Sequence, residues 1–86
     1  MRLTRTVVKL YFLRSPTGRQ SAEALLEALL PHYPGVHLGG KDRWKVTFTH
    51  GKGALPLEKL FERVSELGVK LQDLRDVSLT YRVLQE

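Results

Sequence analysis

Apolar residues in this chain recur first at every second position and then at every third or fourth, and the sequence runs through that change twice. From residue 6 to residue 14, Val8, Leu10 and Phe12 point one way, and Val7, Lys9, Tyr11 and Leu13 the other, the period of a strand. Both sets are largely apolar, which predicts a central strand with the lysine-free Val8 set as its core face. Pro16 and Gly18 predict a loop over residues 14–19. Ser21 is the expected N-cap of a helix in which Ala22, Leu25, Leu26, Leu29 and Leu30 face inward and Glu23 and Glu27 outward. Pro31 ends it. Residues 36–38 read as a short strand and 39–42 as a hairpin turn. Residues 43–49 form its partner, with Trp44, Val46 and Phe48 on one face and Lys45, Thr47 and Thr49 on the other.

The second half repeats the scheme. Pro56 suits a first helical turn, and Leu57, Leu60, Phe61, Val64 and Leu67 share one helical face. Gly68 is the expected left-handed stop, after which Val69 and Leu71 alternate with Lys70 and Gln72 as a strand. Ser78 then caps a short closing helix over residues 79–84, with Leu79, Val83 and Leu84 turned inward. Neither half can bury its own apolar face, so both share one core. The order strand, helix, strand, strand, helix, strand predicts an α+β ferredoxin-like sandwich, with a four-stranded antiparallel sheet and both helices on one face. The helix face is expected to hold Val8, Leu10, Phe12, Trp44, Val46, Phe48, Val69 and Leu71. One domain spans residues 1–86.

Charge refines this picture. The net charge of +5 is uneven: residues 1–52 hold nine Lys/Arg against three Asp/Glu, and the remainder holds five against six. A basic half suits nucleic acid, an anionic surface or an acidic partner, or a solvated face. With no cysteine, disulfides and thiolate metal sites are excluded. No apolar run reaches the length of a membrane span and no signal-like segment opens the chain, so a cytoplasmic domain without membrane insertion is expected.

No catalytic constellation is legible. His32, His37 and His50 fall on different loops and strands, at no spacing that pairs them as metal ligands. Glu58, Glu62 and Glu66 interleave with Lys59 and Arg63 as a solvated helix face. Gly39-Gly40 and Gly51-Lys52-Gly53 match no nucleotide-binding spacing, and no serine sits in a glycine elbow. The expectation is a chain that is not an enzyme and has no cofactor. Sheets of this topology bind single-stranded RNA when the open face shows aromatics among cations. Lys9, Tyr11, Lys41, Arg43 and Lys45 are the candidate contacts, although residues 43–49 lack the basic-Gly-aromatic signature. An amino-acid-sensing role would use the loop at Ser15–Gly18. Sheet edges at residues 36–38 or 69–74 are where a second copy would pair.

Residues 56–61 (PLEKLF), 67–74 (LGVKLQDL) and 78–84 (SLTYRVL) resemble the small accessory domain that follows the ATPase domain in drug-export-type ABC transporter ATP-binding subunits. Ser78, Leu79 and Leu84 match that family's closing motif. Val77 stands where it has Pro, and Thr80 and Tyr81 where it has two acidic residues. The resemblance implies a regulatory or interaction domain, at the inner face of the membrane through a transporter complex. Its partner would be the ATPase domain or another transporter subunit. Leu79, Tyr81, Arg82 and Leu84 would be the contact residues. Without a Gly-x-x-x-x-Gly-Lys-Ser/Thr loop, the chain would not itself be the ATPase.

Overall fold

A computed structural model describes residues 2–39 and 44–85. Its elements run β1 (Arg2–Phe12), α1 (Pro16–Leu29), β2 (His37–Gly39), β3 (Lys45–His50), α2 (Leu57–Glu66) and β4 (Leu74–Gln85). The strands form one antiparallel sheet in the order β2-β3-β1-β4. This is the expected ferredoxin-like arrangement. Val8, Leu10, Phe12, Val46 and Phe48 are buried on the helix face with Ala22, Leu25 and Leu29 of α1 and Leu60 and Val64 of α2. Burying a Leu or Val side chain this fully is worth roughly 1.5–3 kcal/mol.

The first helix begins earlier than its sequence suggests. Ser15, not Ser21, is the N-cap: its Oγ accepts from the Gly18 N–H at 3.0 Å, and Pro16 occupies the first turn. Proline at that position forfeits no hydrogen bond, so the presumed loop is helix. Gly18 is buried there, and a Cβ on it would collide with the Leu13 carbonyl oxygen. Ser21 lies buried within the helix, where its Oγ accepts from the Gln72 N–H at 3.0 Å. Leu30, expected to face inward, is the C-cap and half exposed.

The larger departure is the last strand. Residues 69–71, expected as strand, have no regular structure, although Val69 and Leu71 still pack against the core. The strand comes after them, and residues 79–84 are its second half rather than a closing helix. Val77, Leu79, Tyr81 and Val83 occupy alternate positions opposite Leu10, Val8, Thr6 and Thr4. The unpaired edge of β1 supplies backbone partners all along this segment, which a short isolated helix would lack. Because of this pairing β1 starts at Arg2, not Thr6, and the two strands run on together beyond the end of β3, which stops opposite Thr6.

Smaller adjustments follow from packing. Gly68 takes the expected left-handed conformation, φ +77°. Trp44, expected in the core, sits half-buried at its rim with the Arg19 guanidinium 5.7 Å from its ring centroid. Leu57 and Phe61 of α2 remain 45% and 38% exposed, so this helix buries a narrower stripe than its sequence offers. The short strand is His37–Gly39 rather than 36–38, and the turn expected over 39–42 falls largely outside the described residues.

Candidate nucleic-acid interface

Alternation along each strand sorts the sheet into two faces. Val8, Leu10 and Phe12 turn to the helices; Arg5, Val7, Lys9 and Tyr11 turn to the open side. The strand register then sets rows across that open face. Arg5 stands opposite Arg82. Lys9 lies between Ser78 on β4 and Thr47 on β3, and Thr47 is followed by His37 on β2. Tyr11 lies between Asp76 and Lys45.

Among the described residues the face is predominantly cationic. Among the described residues the ion pairs are Arg19 with Glu23 at 3.1 Å and Lys59 with Glu62 at 3.5 Å, both along helices. None involves Arg5, Lys9, Lys45 or Arg82. The acidic group in these rows, Asp76, turns an Oδ1 back to accept from the Val77 N–H at 2.9 Å. Tyr11 is half-buried at the edge of this field. Of the five sequence-derived nucleic-acid contacts, Lys9, Tyr11 and Lys45 share the face, while Lys41 and Arg43 lie outside the described residues. Arg5 and Arg82 join them. Arg5 precedes the segment whose alternation predicts a strand, and Arg82 falls within the predicted closing helix, so neither is legible in sequence as part of this surface.

The four residues expected to meet a protein partner do not share one surface. Leu79 and Tyr81 lie on the helix face, and Arg82 lies on the open face. Leu79 packs against the core; Tyr81 is 48% exposed and donates its hydroxyl to the Leu55 carbonyl at 3.2 Å. Leu84 is placed by its backbone opposite Leu3. At the proposed amino-acid loop, Ser15 Oγ donates to Asp73 Oδ2 at 2.7 Å while capping α1, so this hydroxyl is engaged on both sides.

The three histidines, unconnected in sequence, line a single cleft of about 650 Å³ beside β3. Within it the Tyr33 hydroxyl and His50 Nδ1 are 2.9 Å apart, and the Tyr33 ring packs on Phe48 with centroids 4.5 Å apart. Burial, and then the charges of Arg63 and Lys52, hold the His50 pKa below its ordinary value of 6.5. His50 is therefore neutral near pH 7. Among the described residues no three His, Asp or Glu side chains are grouped to hold a metal.

No family model, curated protein or solved structure matches this chain. Among the described residues no helix is long and apolar enough to cross a membrane.

Proposed function

We propose that the open sheet face binds single-stranded nucleic acid. The observation that supports this most strongly is the set of Arg5, Lys9, Lys45 and Arg82 on the face that carries Tyr11, none of them in an ion pair among the described residues. Two arginines placed directly across a strand pair repel each other and cost stability. A polyanion removes that cost. Tyr11 supplies a ring for one base, and stacking of this kind tolerates any base. The flanking threonines and serine, Thr49, Ser78 and Thr80, add hydroxyls without adding negative charge.

The test is fluorescence anisotropy of a labelled single-stranded oligonucleotide across a salt series. Each neutralised phosphate contributes about −0.7 to the slope of log K against log salt, so four cations predict a slope near −3. A slope shallower than about −1, or affinity unchanged by Lys9→Gln and Arg82→Ser together, sinks the proposal.

A second reading is contact with a protein partner, in the setting of an ABC transporter ATP-binding subunit. It is supported by Tyr81 and Val83, which leave 48% and 55% of their surface exposed at the end of β4. Calorimetric titration against a purified ABC transporter ATP-binding subunit tests it. Binding lost in Tyr81→Ser with Val83→Ser supports it; no heat of binding removes it.

A further inference from the structure

We propose that the cleft between Tyr33, His50, Lys52 and Arg63 is a binding site for a phosphate-type oxyanion. This does not rest on the nucleic-acid reading of the sheet face.

The cleft exists because β2 is short. It pairs with β3 only from Lys45 to Thr47, so the outer edge of Phe48, Thr49 and His50 has no strand beside it. The turn after α1 crosses nearby and brings His32 and Tyr33 to one wall, and α2 brings Arg63 to the other. Chain segments far apart in sequence thus aim their polar ends into one space. Among the described residues its lining includes two cations, Lys52 and Arg63, and three imidazoles, but no carboxylate. Neither Lys52 nor Arg63 forms an ion pair among the described residues.

The hydrogen-bonding inventory points the same way. A neutral His50 that accepts the Tyr33 hydroxyl on Nδ1 carries its proton on Nε2, leaving a ring donor free. Arg63 and Lys52 both disfavour a proton on His50, so the cleft repels added positive charge. An oxyanion reverses each term: it accepts from Arg63, Lys52 and His50 and favours the imidazolium. A phosphate, with several acceptor oxygens and up to two negative charges, matches this donor set better than a carboxylate does.

Two sources carry that group. One is a free phosphorylated small molecule, for which about 650 Å³ is ample. The other is the terminal phosphate of a strand lying on the open face, because His37 and Thr47 belong to both surfaces.

Inorganic phosphate titrated into the intact chain, with chloride at matched ionic strength as the control, tests the site through the NMR signals of the His50 ring. The expected result is a saturable shift with phosphate alone, accompanied by a rise in the His50 pKa. Arg63→Gln and Lys52→Gln, both at exposed positions that leave the core intact, should each weaken it roughly tenfold or more. No saturable shift beyond that in chloride, or a shift unaltered by Arg63→Gln, overturns the proposal. Oligonucleotides with a 5′-phosphate or a 5′-hydroxyl then separate the sources: tighter binding of the first, competed by inorganic phosphate, assigns the strand end. Equal binding of the two assigns a free molecule. Arg82→Ser should weaken oligonucleotide binding and leave the phosphate shift intact, so the two readings fail separately.

Discussion

Arg5 of β1 and Arg82 of β4 stand directly opposite each other on the open face of the sheet. Like charges in that position oppose folding by roughly 0.2–1 kcal/mol. Arg82→Thr is therefore expected to raise the thermal midpoint in low salt while weakening oligonucleotide binding. The same variant should make the salt slope shallower by about 0.7, the share of one phosphate on a single strand. A variant that loses stability and keeps its affinity would show that the two arginines serve the fold instead.

Tyr11 offers a separate test because it lies between Lys45 and Asp76, outside the buried core. Tyr11→Leu keeps an apolar side chain on the strand but removes the aromatic face. Loss of one base stack costs about 1–3 kcal/mol of binding. Urea denaturation should show little change alongside that loss. Equal losses of stability and affinity would make the ring a packing group.

Thr6 is expected to be the most sensitive polar position in the molecule. It is fully buried; its Oγ1 donates to the Gly53 carbonyl at 3.1 Å and accepts from the Leu55 N–H at 2.9 Å. It thereby ties the entry of α2 to the central strand. Thr6→Val keeps the volume but orphans both backbone groups, at a cost of about 2–3 kcal/mol. The check is a fall in the urea midpoint with an unchanged slope; a shift under about 0.5 kcal/mol would mean that water replaces the hydroxyl.

Ser15 and Asp73 close the opposite end of the sheet. Ser15→Ala removes both the helix cap and the bond to Asp73, a loss of about 1–2 kcal/mol. Asp73 holds φ at +58°, a conformation that Asn tolerates and Ala does not. Asp73→Ala should consequently destabilise more than Asp73→Asn. A double-mutant cycle between Ser15→Ala and Asp73→Asn should be clearly non-additive.

The pH dependence carries a defined sign. His50 has a folded pKa below its ordinary 6.5, and the charged or titratable groups around it are Tyr33, His32, His37, Lys52 and Arg63. Between the two pKa values the unfolded chain binds more protons, so stability there rises with pH. The contribution is complete above about pH 6.5 and lost as the pH falls towards the folded value. Denaturation midpoints of the wild type and His50→Gln should therefore diverge in that window and run parallel above it. Identical profiles would place the proton uptake elsewhere.

Several features were legible from local pattern. The stripes Leu25–Leu29 and Leu60–Val64, the alternation of β1 and β3, and the stop at Gly68 each record a face that must leave water. The element order followed from them, and with it the sheet and its two helices. The open-face cations Lys9 and Lys45 were legible for the same reason, since they alternate with buried residues. The alternation of Val77, Leu79, Tyr81 and Val83 was also present. It is a strand signal that the serine at 78, a frequent helix cap, obscured.

What sequence alone determined, then, is which residues are apolar together and with what period, because burial of one face imposes that spacing within a few neighbouring residues. Tertiary structure decided the rest. Ser15 outranked Ser21 as the cap of α1 because Asp73, 58 positions away, holds its hydroxyl from the other side. Residues 79–84 became strand because β1 offered them a free edge. Arg5 met Arg82, and three histidines met in one cleft, through register and the shortness of β2. Such outcomes depend on which distant backbone groups find one another, and a periodicity confined to neighbouring residues does not encode that choice.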